Sequence, residues 1–177
     1  MVSAFTRKHP WVQAVSAGSL LRGALMTDDT EALRTATASN IHANQDRLVA
    51  AFAERRRRDP EHHVIFDGHT LIDNDQRLVI VPVSVFRDLA PALIVFLEDD
   101  PLLIHARRLA DPGRVRPRRS SDEIDAQQRT AKETALAHAS VLAVPCAMVG
   151  SGDHAAFEAA LIGAFAPPPT LPSSSGD

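Results

Sequence analysis

HVIFDGHTLI, from His63 to Ile72, and ALIVFLEDDPLLIHARR, from Ala92 to Arg108, decide the fold. Each opens as a short apolar run and delivers acidic or polar side chains where the run ends. Asp67 and His69 follow the first, and Glu98, Asp99 and Asp100 follow the second. Aliphatic runs without polar alternation are the mark of strands covered on both faces. His63–Phe66 and Ala92–Leu97 are therefore expected as core strands. Pro101 then suits the first turn of a helix that carries Arg107 and Arg108 near its end.

Working outward, Trp11–Val15 reads as a short strand that ends at Ser16-Ala17-Gly18-Ser19. Ser19 is placed to cap a helix over Leu20–Met26 by accepting an orphan backbone N–H. A long helix is expected from Thr30 to about Arg58, because Leu33, Ile41, Leu48, Val49 and Phe52 recur at helical spacing; Asp59-Pro60 ends it. Arg77–Val83 is extended, and Asp111-Pro112-Gly113 breaks the helix begun at Pro101. Ser120 or Ser121 caps the next helix, running to about Ala139, with Glu123 placed to complete a capping box for Ser120. Val141–Val149 is a third core strand and Asp153–Phe165 the last helix. Strands alternating with helices predict a single α/β domain over residues 1–165, a parallel sheet with helices on both faces. Residues 166–177, APPPTLPSSSGD, are rich in proline and serine and are expected to be disordered.

A chain of 177 residues can bury a real core, and 45% apolar with 23% charged residues is a globular composition. No apolar run is long enough to span a membrane, and WVQAVSAG after Arg7-Lys8 is no signal-peptide core. The lone Cys146 lies in AVPCAMV and reads as a buried, inert thiol; with no partner for an internal disulfide, a reducing, cytoplasmic setting is expected. A net charge of −3 makes no global case for nucleic acid or anionic lipid.

In parallel sheets ligands sit beyond the carboxyl ends of the strands. Asp67, His69, Glu98 and Asp99 fall there, joined by Gly18 and Ser19 if the first strand is parallel. Asp67 could hold magnesium through water or accept a substrate hydrogen bond; the alternative is a side chain that caps its own segment. His69 reads more simply as structural. Arg107, Arg108, Arg114, Arg116, Arg118 and Arg119 crowd a segment interrupted by two prolines and a glycine. Their planar forks suit phosphate oxygens, and the alternative is a solvated basic face or a nucleic-acid patch. No aromatic side chain neighbours them, which argues against nucleic acid. Arg55–Arg58 end a helix and read as structural. No zinc-ligand spacing occurs.

These motifs resemble those of the adenylate kinases, especially the archaeal type. AGSLLRGAL (Ala17–Leu25) is similar to their TGDMLR-type acceptor segment. VIFDGHTLI, then LIVFLEDDPLLIHARRLADPGRVRPRRSSDEIDAQQ, follow the archaeal order I-D-T-H-A, F-L-x-E-A-D-P, R-R-x-x-D-x-x-R-x-R and E-I-x-x-x-Q. The resemblance covers about residues 3–165. It implies a P-loop-NTPase-like fold, ATP and magnesium as cofactors, and a nucleotide or similar small phosphate acceptor. By the same resemblance Gly18, Ser19, Arg22 and His69 would line the nucleotide site, with Arg22 gripping the acceptor phosphate. Asp67 would organise magnesium or the acceptor, and Arg107, Arg108, Arg114 and Arg116 would be lid cations.

Three departures stand out. The family's opening strand and G-x-P-G-x-G-K-[ST] loop are not in this sequence, and Met1–Phe5 matches the helix that follows that loop. The strand would lie at the centre of the sheet, between His63–Phe66 and Ala92–Leu97, so its loss would leave two unpaired edges; a start assigned too late is the expected cause. Ala17 replaces the usual threonine, and the loop Asp73–Val79 lacks a glycine-proline run. Two functions are thus expected to compete: ATP-dependent phosphoryl transfer, impaired without the Walker lysine, and a non-catalytic remnant that binds nucleotide weakly or a protein partner. Nothing in the sequence specifies an oligomeric state.

Overall fold

Residues 1–26, 37–111 and 117–165 are described by a computed structural model of the chain. In order they form α1 (Val2–Lys8), β1 (Val12–Ser16), α2 (Ala17–Leu25), α3 (Ala38–Arg58), β2 (His63–Asp67), β3 (Leu71–Asp73) and β4 (Leu78–Ile80). Then come α4 (Val83–Leu89), β5 (Ile94–Glu98), α5 (Pro101–Leu109), α6 (Ser121–Leu142), β6 (Cys146–Gly150) and α7 (His154–Ala164).

Local chemistry sets most helix starts. Ser120 Oγ accepts from Glu123 N and the Glu123 carboxylate accepts from Ser120 N, so α6 opens on the expected capping box. Asp100 accepts from Leu102 N at 2.8 Å with Pro101 at the first position of α5. Asp153 caps α7 through Ala156 N, and Thr37 caps α3 through Asn40 N.

Four expectations change. Helix α2 begins at Ala17, so Ser19 lies inside it and accepts from Arg22 Nη2 at 3.0 Å instead of capping. Helix α6 continues to Leu142, ending where Ala143 turns left-handed at φ 55°, so Val141 is helical and the third strand begins only at Cys146. Helix α4 follows Pro82 where extended chain was expected to run to Val83. The expected loop Asp73–Val79 is partly strand: Asp73 and Leu78–Val79 pair in an antiparallel β3–β4 hairpin, with Asn74–Arg77 as its turn. Residues 27–36, the start of the long helix expected from Thr30, and the tail 166–177 lie outside the described residues.

The core strands pair as two parallel ladders. In one, Val12 to Ser16 of β1 runs in register with His63 to Asp67 of β2. In the other, Ile94 to Glu98 of β5 runs in register with Cys146 to Gly150 of β6. Among the described residues no ladder hydrogen bond joins the two pairs. They are joined by packing. Phe5 of α1 and Phe157 and Leu161 of α7 share one core with Val12 and Ile65 of the first ladder and Val95 and Val149 of the second. On the other face Ala135 and Ala139 of α6 pack against Ile94 and Phe96, and Phe52 of α3 meets Phe66 edge-on at 5.3 Å. This is an α/β, P-loop-like arrangement, with helices on both faces of parallel strands.

Burial along the strands is uneven. Val12 and Val15 of β1 are buried at 3% and 5% exposure, whereas His63 to Phe66 of β2 are all only partly buried, and Leu97 of β5 is 42% exposed. Runs as apolar as these are expected to lose nearly all their surface inside a covered parallel sheet.

Candidate active site

The carboxyl ends of the strands meet on one side of the molecule, and helix α6 ties them together. Thr70 Oγ1, three residues past the end of β2, donates to Ala131 O at 3.2 Å. The adjacent Lys132 reaches Glu98, the last residue of β5, with Nζ 2.7 Å from Oε2. One turn earlier Gln128 clamps the following residue, donating to Asp99 O at 2.9 Å and accepting from Asp99 N at 3.0 Å. The β1 side joins through its register, Ser16 lying beside Asp67. A Cβ built on Gly68 would sit 2.8 Å from Phe66 Cε1 and 3.7 Å from the Ala17 Cβ, so glycine is what lets the chain after Asp67 pass so close. The amino end of α1 arrives at the same edge: Met1 Sδ lies 3.3 Å from Gly152 N, just past β6. Gly152 itself is held at φ 96°, a conformation suited to glycine.

Each residue picked out in the sequence can now be placed. Asp67 ends β2 with an exposed side chain, and among the described residues its carboxylate makes no bond that would cap its own segment. His69 is exposed in the loop that follows. Gly18 and Ser19 lie in the first turn of α2, and Arg22, one turn on, holds Ser19. Arg107 projects from α5 onto Asp99, Nη2 to Oδ2 at 2.6 Å. Burial would raise the Asp99 carboxyl, but Arg107, the Asp100 N–H and Ser151 more than offset it, leaving the group below its usual value and ionised. Arg108 is half-buried near the end of α5, while Arg114 and Arg116 lie outside the described residues.

The structure thus brings Asp67, Glu98, Asp99, Arg107, Gly18 and Arg22 to one edge, and it separates Arg119 from them in role. Arg119 donates from Nε and Nη2 to the two oxygens of Asp73, each at 3.1 Å, and Gln127 adds a bond of 3.0 Å to Asp73 Oδ2. That cluster fastens the β3–β4 hairpin to the start of α6. Arg55 to Arg58 are likewise structural: Arg55 binds Gln13, Arg56 donates to His62 O, and Arg57 and Arg58 pair with Glu54. A cleft of about 260 Å³ lined by Leu20, Ala51, Glu54, Arg55, Arg58 and Asp59 belongs to this helix end and includes none of the carboxyl-edge residues. Cys146 is partly buried, and desolvation pushes its thiol up, as befits an inert group.

Lys132 and Gln128 were not singled out in the sequence. Gln128 does close the E-I-x-x-x-Q match without a role having been read for it, whereas the one local sign of Lys132 is its spacing: four residues on from Gln128, it shares that helix face. The face was not recognisable as the site's wall until Glu98 and Asp99 were seen against it.

Among the described residues no cluster of three or more His, Cys, Asp or Glu could hold a metal unaided. No helix of the described residues is long and apolar enough to cross a membrane.

The family described as AAA domain matches residues 2–125. The adenylate kinase of Methanothermobacter thermautotrophicus is 33% identical over 93 residues, which cover 52% of this chain and 50% of that enzyme. The chain therefore spans about half the length of the curated relative it matches.

Proposed function

Starting from a chain that belongs to the AAA domain family, we propose that its nucleotide-kinase-like fold serves ATP-dependent phosphoryl transfer to a nucleoside monophosphate or similar small acceptor. The observation that carries this reading is the meeting of Asp67, Arg22 and the Arg107–Asp99 pair at the carboxyl ends of parallel strands, where such folds bind ligands. Arg22 would hold the acceptor phosphate, and Asp67 would orient magnesium or the acceptor. Arg107, Arg108, Arg114 and Arg116 would close over the transferring group and exclude water. Magnesium, when bound, neutralises charge on the phosphates. Catalysis would otherwise rest on positioning and on cations aimed at developing charge.

We read the interval between β2 and β5 as the place of one more parallel strand, whose following loop would carry the phosphate-binding lysine. The incomplete burial of β2 and the exposure of Leu97 support this. Residues 1–177 alone would then be an impaired catalyst. The same open edges favour the second reading, a nucleotide- or partner-binding remnant.

The test is ADP formation from ATP with a panel of nucleoside monophosphates, beside calorimetric titration with ATP and AMP. ADP that requires both substrates supports the kinase reading. Binding of both ATP and AMP without turnover fits either an impaired kinase or a nucleotide-binding remnant, and the absence of nucleotide binding overturns the kinase reading and leaves only a partner-binding remnant.

A further inference from the structure

Of the nineteen lysines and arginines in the sequence, only Lys8 and Lys132 are lysines. Lys8 lies at the end of α1 away from Met1 and Gly152 and pairs with Glu158 of α7 at 2.5 Å. Lys132 stands elsewhere. Its backbone follows Ala131, whose carbonyl holds Thr70 of the β2 loop, and its ammonium lies on Glu98 at the end of β5. The stem is fixed in the middle of a capped helix of 22 residues, and Gln128 locks that helix to Asp99 by two bonds. The pair remains open to water, with the Lys132 and Glu98 side chains 37% and 39% exposed. An ammonium held at the end of β5 and still open to water can exchange that carboxylate for an incoming anion.

We propose that Lys132 is a phosphate-contacting residue of this site and that Glu98 holds its ammonium in place until phosphate arrives. The inference rests on the nucleotide reading above and gives it a residue. Lysine suits the role because its compact ammonium has three rotatable donors and can pass from one oxygen to another, which a bidentate arginine fork does less readily. The competing account is an ordinary ion pair that pins α6 to β5. The two differ in sign. If Lys132 serves phosphate, removing its competitor should tighten anion binding, whereas removing either member of a structural pair should lower stability alike and leave binding unchanged.

The experiment uses the full chain and two probes, ATP and inorganic tripolyphosphate, titrated against the wild type, Lys132→Met, Lys132→Arg and Glu98→Gln, with thermal melts alongside. Lys132→Met is expected to weaken both probes about tenfold or more, the worth of a charge-assisted bond to phosphate. Lys132→Arg should restore most of that loss, and Glu98→Gln should bind more tightly than wild type. If the wild type binds but Lys132→Met and Glu98→Gln bind as it does, the Lys132 proposal falls and the nucleotide reading stands. If tripolyphosphate follows the expected pattern while ATP does not bind, Lys132 stands as a phosphate contact and the nucleotide reading falls. A wild type that takes up neither probe overturns both.

Discussion

Asp73→Ala tests how the arginine-bearing segment is anchored. Asp73 accepts two bonds from Arg119 at 3.1 Å, one from Gln127 at 3.0 Å and one from Asp75 N at 3.1 Å. The Asp73 and Arg119 side chains are 18% and 23% exposed. An exposed pair contributes at most about 1 kcal/mol, whereas stripping one partner from a buried pair costs about 3–5 kcal/mol. This pair lies between the two, and Arg119 would keep Glu123 at 3.6 Å and Asp75 O at 3.3 Å. Asp73→Ala should therefore cost about 2 kcal/mol in urea unfolding with an unchanged m-value. A cycle with Arg119→Ala should return a coupling of about 1 kcal/mol or more. Acid supplies an internal control. Burial alone would raise the Asp73 carboxyl, but Arg119, the Asp75 N–H and Gln127 prevail, so its folded pKa lies below the unfolded one. The contribution is then present above an unfolded value of about 3.9 and is lost as pH falls through the folded one. The gap between wild type and variant should thus close below about pH 4. A cost under about 0.5 kcal/mol, the range of a bare surface change, or a gap that persists in acid, would refute the clasp.

Three further outcomes are expected. Gly68→Ala should destabilise by about 1–3 kcal/mol, the usual cost of overpacking, and heteronuclear NMR should show Phe66 displaced; unchanged stability with displaced Phe66 signals would show that the ring yields freely, and an unperturbed spectrum would refute the close contact. The 177-residue chain should melt below about 60 °C or aggregate on heating; a cooperative monomeric transition above that temperature would count against an unfilled place beside β2 and β5. In a form of the protein that turns over, Arg107→Ala should slow kcat by about 10³-fold with a smaller change in acceptor affinity, and an unaltered kcat would remove Arg107 from the chemistry.

What could be read from the sequence was local. Asp100-Pro101 and Ser120 with Glu123 announced two helix starts because the groups that satisfy them lie within three residues. The strand cores were legible as unbroken apolar runs, and Asp67, Glu98 and Asp99 as the residues just beyond them. Helix α4 was not, since VSVFRDL is rich in β-branched residues that suit strands, and its helical form is settled by packing, with Phe86 against His138 at 4.9 Å. Lys132 was not legible either, because Glu98 is 34 positions away, nor was the Asp73–Arg119 clasp, which spans 46.

The same limit explains the strands themselves. An apolar run states that a segment is meant to be covered, but not by what. Val12 of β1 finds its cover in the core of α1 and α7, and Val15 is likewise buried. In β2, Phe66 has Phe52 on one face and Ile65 has the α1–α7 core on the other, and the strand still stays only partly buried. Helices on the faces do not complete its burial, and among the described residues the edge of β2 away from β1 has no ladder partner. Leu97 of β5 makes the same point from the second ladder, at the end of the strand nearest Glu98 and Lys132. On the reading proposed above, a strand placed between β2 and β5 would give both of these edges a ladder partner. The completeness of the sheet and the readiness of the phosphate site are in this view a single structural question.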